Sequence, residues 1–393
     1  MNRCFIAAVA AALAGTSAAL CGTPALAADA VRDKQWHLEF LKVPEAQRIS
    51  TGKGVTVAVV DSGVSDHPDL AGSVLNGTDF FKRGGNGRTD RAGHGTKMAS
   101  LIAGHGKNGN GILGIAPDAK ILPIRVFDNK PRADAEVGPA IEYAISHGAK
   151  VINLSLSGSV DPATLNSVRA AVEADVVMIA SAGNKPDVFT ITAPAFLPDV
   201  VAVGAIDPSG KKAEVSVSGA ALDLMAPGEE IEGASRGRGY ETGTGTSDSA
   251  AIVSGAAALI RSKYPNMSAA EVVERLESTA IDKGAPGVDP DYGHGIIDIV
   301  AALSGGTSPG SSASATPSGT TAASAPATAP AASPQAEAQP AASNTPLIIG
   351  GVAVFVLLGG LAAFLLARRR TRPTPFPGSE TRGPTGPPPP HDL

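Results

Sequence analysis

Three short motifs place a carboxylate, an imidazole and a hydroxyl along the chain. Asp61 closes the run Val57-Ala58-Val59-Val60 and is followed by Ser62-Gly63. His94 lies in Gly93-His94-Gly95-Thr96, and Ser247 follows Gly245-Thr246 where a stretch of small residues begins. A serine hydroxyl is a weak nucleophile until a base takes its proton. An imidazole serves best as that base when an acid fixes its tautomer and stabilises the imidazolium. Ser247 therefore reads as nucleophile, His94 as base and Asp61 as orienting acid. Asn184 ends the run Val176-Val177-Met178-Ile179-Ala180-Ser181-Ala182-Gly183. Its side-chain amide can donate to the oxyanion formed when a carbonyl is attacked, and losing such a donor costs roughly 3–4 kcal/mol of transition-state stabilisation.

Each motif alone also fits a turn or a helix cap, since Asp-Ser-Gly and Gly-Thr-Ser occur in many loops. Four of them together define a serine hydrolase. His67, His105, His147 and His294 lack comparable flanks and read as structural or exposed. None has metal-ligand spacing to another His, Cys or carboxylate, so no catalytic metal or other cofactor is implied. Calcium held by loop carbonyls would leave little trace in a sequence and stays open.

The elements that must position these residues alternate. Apolar, β-rich runs at 55–60, 121–127, 151–156, 176–180 and 200–206 are separated by helical stretches at 96–104, 135–147, 162–174 and 249–263. Continuous apolar strands between helices predict an α/β fold whose parallel sheet is buried on both faces. Asp61 then falls at the carboxyl edge of such a sheet, where functional groups collect. A last helix is expected at 268–279, opened by a capping-box spacing from Ser268 to Glu271.

The ends differ from this middle. Residues 1–27 have a charged start at Arg3, a short apolar core and the small-residue site Ala25-Leu26-Ala27, as in a secretory signal peptide. Residues 28–51 are too few to fold alone and are expected to lie along the catalytic domain, 52–303, as an N-terminal arm anchored by Trp36. Residues 304–346 are almost wholly Ser, Ala, Pro, Thr, Gly and Gln, a composition for a disordered stalk. Residues 347–367 form an uncharged apolar stretch long enough to span a bilayer as a transmembrane helix. The arginine cluster at 368–372 opens the tail 368–393, which is expected to be cytoplasmic, leaving the rest outside the cell membrane. Cys4 and Cys21, the two cysteines of the chain, both fall in the leader, so the mature protein would hold no disulfide. A net charge of −5 without a basic stripe outside the anchor argues against nucleic acid as a partner.

The order Asp, His, Ser and the flanks of all four motifs, with His67-Pro68-Asp69-Leu70 after the first, make residues 35–303 resemble the subtilisin-like (subtilase) serine proteases. Within them the chain is similar to the mycosins, membrane-anchored proteases associated with type VII secretion. Gln35-Trp36-His37-Leu38, the Pro/Ala stalk, the single C-terminal anchor and its arginines carry that closer likeness. The resemblance implies a three-layer fold around a seven-stranded, mostly parallel sheet, and endopeptidase action on protein or peptide substrates through an acyl-enzyme. It implies that substrate backbone pairs with Ser155-Leu156-Ser157-Gly158, and that this segment with Ser181-Ala182-Gly183 walls the pocket for the side chain before the scissile bond. It also implies a type VII secretion membrane complex as partner.

Three features depart from the family pattern: no inhibitory pro-domain fits before Asp61, the mature chain lacks the disulfides that mycosins often carry, and Asp248 comes directly after the serine. An acid in a first helical turn favours the helix dipole, whereas a carboxylate facing the cleft would oppose a developing oxyanion. Reduced but present activity is expected. The alternative is a structural subunit of a secretion complex with marginal proteolysis.

Overall fold

The computed structural model describes residues 31–106, 110–129, 136–158 and 160–305. The signal peptide, stalk, apolar stretch 347–367 and C-terminal tail expected from the sequence lie outside the described residues. Among the described residues no helix is long and apolar enough to cross a membrane.

Seven strands are laid down along the chain: β1 (Thr56–Asp61), β2 (Thr78–Asp79), β3 (Lys120–Arg125), β4 (Val151–Leu154), β5 (Val177–Ser181), β6 (Val200–Ile206) and β7 (Leu224–Pro227). They form one sheet in the order β2-β3-β1-β4-β5-β6-β7, and each neighbouring pair is parallel. The apolar runs are continuous because each strand feeds two cores. Val57 and Val59 pack on one side with Val151 and Ile179, while Ala58 and Val60 pack on the other with Ile152 and Met178. The second side is covered by α4 (Val137–Ser146) and α5 (Pro162–Glu173). The first is covered by α3 (His94–Ala103), α6 (Thr246–Lys263), α7 (Ala269–Ser278) and α8 (Ile299–Ser304). The fold is therefore the three-layer α/β arrangement expected of a subtilisin-like chain.

At the centre of the first side lies α6, with 15 of its 18 residues buried. A helix buried all round loses the usual polar face, and its alanines, glycine and serines allow close approach to the strands. The buried hydroxyls are satisfied: Ser254 donates to Asn153 Oδ1 at 3.1 Å and Ser249 to the Ala226 carbonyl at 3.0 Å. At its far end Arg261 pairs with Asp175 at 2.9 Å.

The segment before β1 forms α1 (Trp36–Phe40) and α2 (Val43–Ile49). Leu38, Leu41, Val43 and Ala46 enter the first core. Trp36 Nε1 donates to the Glu229 carbonyl at 3.0 Å, and Ser50 Oγ donates to the Leu259 carbonyl, within α6, at 2.8 Å.

Boundaries shift where side-chain pattern outruns backbone pairing. The runs 121–127 and 151–156 stop as strands at Arg125 and Leu154, and α6 starts at Thr246 rather than 249, which puts Ser247 in its first turn. The capping box before α7 is present, with Glu271 N–H donating to Ser268 Oγ and Ser268 N–H donating to Glu271. Three features have no counterpart in the sequence pattern: two-residue β2, edge strand β7, and the antiparallel hairpin β8 (Ile231–Ala234) with β9 (Tyr240–Gly243). Pro123 sits inside β3 without breaking it. Ile121 N–H bonds outward to the Ser73 carbonyl, so two residues on the missing proline N–H faces the same outer side, where β2 pairs only from Ile124.

Leu259, fully buried on α6, tests the weight of this helix. Leu259→Ala is expected to destabilise the domain by about 2–5 kcal/mol, measured by reversible denaturation with a catalytically silenced background. A loss under about 1 kcal/mol would mean that the α6 core is loosely packed.

Candidate active site

The expected residues converge at the carboxyl edge of the sheet. Asp61 is the last residue of β1 and has no exposed surface. A carboxylate so placed needs donors. Ser62 N–H donates to its Oδ1 at 2.7 Å, and His94 Nδ1 lies 2.8 Å from Oδ1 and 2.9 Å from Oδ2. A buried carboxylate on that side keeps the proton on Nδ1, so the neutral ring presents the Nε2 lone pair outward.

His94 opens α3, and its position is set by groups that the sequence motifs do not flag. Gly93 before it adopts φ +91°, in the left-handed region. Asp90 is buried and accepts from Gly93 N–H at 2.8 Å, Thr96 N–H at 2.9 Å and Thr96 Oγ1 at 2.6 Å. It also accepts from Ser62 Oγ at 2.8 Å, while Gly95 N–H donates to that hydroxyl at 3.0 Å. Asp90 thus caps α3 and ties the loop after Asp61 to the turn bearing His94. Gly95 has to be glycine: a Cβ there would lie 2.1 Å from the Gly63 carbonyl oxygen. An acid four residues before the histidine was the available signal.

Ser247 stands in the first turn of α6. Its carbonyl accepts from Ser155 Oγ at 3.0 Å, and Asn153 Nδ2 donates to Ser155 Oγ at 3.0 Å, so the start of α6 is tied to the end of β4. Asn184 lies just beyond β5. Its Oδ1 accepts from Thr246 N–H at 2.9 Å and Thr246 Oγ1 at 3.1 Å. A backbone N–H demands an acceptor, which fixes the amide orientation and leaves Nδ2 as a donor beside Ser247.

His94, Ser247 and Asn184 line one cleft of about 430 Å³ with Ser155, Leu156, Ser157, Ser181 and Gly183. Two expected wall residues stand apart from it. Ala182, just past the end of β5, is buried in a small core with Ile206 and Val217. Gly158 N–H bonds to the Ala193 carbonyl at 2.9 Å. Phe127, Asn129, Asp187 and Val188 line the cleft without having been anticipated. The other singled-out histidines are outside it: His67 bonds to the Gly239 carbonyl, His105 to the Ala71 carbonyl and His147 to the Tyr143 carbonyl, while His294 faces Glu277 at 3.8 Å. Among the described residues no group of His, Cys, Asp and Glu is arranged to hold a metal.

Asp248 does not face the cleft. It is 3% exposed, and Lys97 of α3, itself buried, places Nζ 2.7 Å from its Oδ1. The contact is ionic and lies off the hydrogen-bonding direction. The open carboxylate expected beside the nucleophile is therefore a paired one, turned back between α3 and α6.

Burial opposes charge on the His94 ring, and Lys97 opposes it too. The Asp61 carboxylate, through its charge and its hydrogen bond, together with Asp248, outweighs both and raises the imidazole pKa from 6.5 to about 9. A raised folded-state value means that the ion pair stabilises the fold fully below about pH 6.5 and is lost as pH climbs through about 9. About a third of the ring faces the cleft, so solvent screens part of this pull until a ligand fills the space. The His94 ring resonances, followed by NMR, are expected to titrate well above pH 6.5 and to fall toward the ordinary value in Asp61→Asn. A titration unmoved by that substitution would overturn the pairing.

A group of this geometry, with a base aligned by a buried acid, a hydroxyl at a helix start and an amide donor beside it, is suited to attack on a carbonyl. Residues 52–295 match the model of the subtilase family, Peptidase_S8. Subtilisin E of Bacillus subtilis (strain 168) is 40% identical over 258 residues, covering 64% of this chain and 66% of its own length. This chain therefore spans just under two thirds of that relative. Mycosin-1 of Mycobacterium tuberculosis (strain ATCC 25618 / H37Rv) is 35% identical over 344 residues, covering 72% of this chain and 76% of mycosin-1. Among solved structures, the serine protease MycP1, described as an essential component of the type VII (ESX-1) secretion system, superposes with a TM-score of 0.62 at 34% identity, covering 70% of this chain and 89% of that one. MycP1 with its N-terminal propeptide removed superposes with a TM-score of 0.61 at 32% identity, covering 68% and 96%. The family model spans both the carboxyl edge that carries Asp61 and the helix that carries Ser247, and the chain belongs to the subtilase family of serine endopeptidases.

Proposed function

We propose that this chain is a membrane-tethered, extracytoplasmic serine endopeptidase that cleaves proteins or peptides through an acyl-enzyme and works beside a type VII secretion complex. The observation that carries the catalytic part is the double contact of Asp61 with His94 at 2.8 and 2.9 Å, in a cleft also lined by Ser247 and Asn184. Ser247 Oγ attacks the scissile carbonyl carbon while its proton passes to His94 Nε2. Asp61 stabilises the resulting imidazolium. The carbonyl oxygen becomes an oxyanion and accepts from Asn184 Nδ2. Collapse breaks the C–N bond, the amine leaves with the proton from His94, and water then releases the acyl group by the same steps in reverse.

The secretion partner rests on the similarity to mycosin-1 and MycP1, and the tether on the apolar stretch 347–367 with its trailing arginines. The alternative of a mainly structural subunit drew on Asp248, the anchor and the missing pro-domain, and the pairing of that carboxylate with Lys97 weighs against the first of these.

The cleft is lined by serine and asparagine side chains together with Phe127, Leu156 and Val188, and its one carboxylate is Asp187, which is exposed. It favours a cationic substrate side chain.

A fluorophosphonate is expected to label residues 28–303 on Ser247 and not to label Ser247→Ala, while Asn184→Ala retains labelling and loses about 10²–10³ in kcat. Well-folded protein that resists labelling would return the structural-subunit reading to first place. In a peptide series varied beside the scissile bond, Asp187→Asn is expected to lower kcat/KM for Lys or Arg relative to Leu by about three- to tenfold, the size of a modest surface charge interaction. An unchanged ratio would remove Asp187 from specificity.

A further inference from the structure

The residue after the serine and the residue one turn after the histidine are oppositely charged and meet in the interior. Lys97 Nζ and Asp248 Oδ1 are 2.7 Å apart, with each side chain 5% exposed. They join α3, which begins with His94, to α6, which begins around Ser247.

The lysine has a prepared seat. Its stem runs over two glycines of the β8–β9 hairpin: a Cβ at Gly233 would lie 2.5 Å from Lys97 Cγ, and one at Gly243 would lie 2.5 Å from Nζ. From the N-terminal segment, His37 is fully buried beside it. Neither ring nitrogen of His37 has a hydrogen-bond partner among the described residues. Burial, and then the charge of Lys97, push its pKa down to about 3, so it stays neutral. The nearby hairpin carboxylates are engaged elsewhere: Glu232 with Thr242 and Lys34, and Glu241 with Ser235 at 2.8 Å. Asp90 is occupied by its cap. Asp248 is thus the partner left for Lys97.

We propose that Lys97 and Asp248 are positioning residues, a buried charged tie that fixes the base-bearing helix against the nucleophile-bearing helix and keeps the carboxylate next to Ser247 away from the forming oxyanion. The proposal rests on the assignment of Ser247 as nucleophile and His94 as base. A buried ion pair is often no more stabilising than an apolar pair of the same volume, yet removing one partner leaves an uncompensated charge. Removing Lys97 would leave that charge on Asp248, one residue from the nucleophile. The two charges act on His94 with opposite sign, Asp248 raising its pKa and Lys97 lowering it.

The test compares Lys97→Met, Asp248→Asn and the double variant Lys97→Met/Asp248→Asn in two ways. The first is the NMR titration of His94 in a Ser247→Ala background, which needs no activity. The His94 pKa is expected to rise in Lys97→Met, to fall in Asp248→Asn and to return near the parent value in the double variant. The second is steady-state hydrolysis of a peptide ester. Lys97→Met is expected to lose about tenfold or more in kcat with KM within about twofold, and the double variant to recover most of it. A parent enzyme that hydrolyses nothing would sink the catalytic assignment, while the titrations would still judge the pair. Single variants whose His94 pKa moves in the same direction or not at all, or a double variant no better than Lys97→Met, would overturn the proposal. Circular dichroism on each variant separates these results from simple unfolding.

Discussion

A carboxylate with no exposed surface governs the arrangement of the site. Asp61 is carried to the end of β1 by a run of valines that leaves no room for water, and an ionised group there is tolerable only if donors surround it. Ser62 and His94 supply them. Meeting that demand constrains the chain after β1 at three places: the turn at Gly63, the glycine at 95 that lets the two loops touch, and Asp90, which caps α3 and holds it at the right height. The orientation of the imidazole is thus a by-product of satisfying a buried acid.

The opposite wall is built by apolar packing instead. α6 approaches the sheet closely because its residues are small, and hydrogen bonds from Ser155 and to Asn184 secure its first turn. Two different kinds of force therefore meet across the cleft, ionic at β1 and α3, close-packed at β4, β5 and α6. The Lys97–Asp248 pair bridges them.

Much of this was legible in the sequence because it depends on local pattern. The five long apolar runs became strands, and the four catalytic-type residues appear together because each sits at an element boundary that glycine or a short polar motif marks. What escaped depends on contacts distant in sequence. β2 and β7 are short, and β7 ends in Pro227, which suits an edge. Asp187 and Phe127 line the cleft by virtue of loop paths that no periodicity records. Asp248 was visible as an anomaly, but its direction was not: 151 positions separate it from Lys97, and only folding shows that two unusual charges cancel. Ala182, which the resemblance placed on the pocket wall, lies just past the end of β5 in a small core with Ile206 and Val217, contacts distant in sequence.

The burial of α6 has a consequence for the lifetime of the molecule. Local opening of a protein draws on segments with few buried contacts, and a protease that opened piecemeal would offer its own backbone to neighbouring copies. Ser247 is mounted on a helix of which 15 of 18 residues are buried, the kind of segment that opens late. The hydroxyl proposed as nucleophile is thereby attached to a segment poorly available for cutting, and the amide protons of the buried part of α6 should be among the slower ones of the described residues to exchange with solvent.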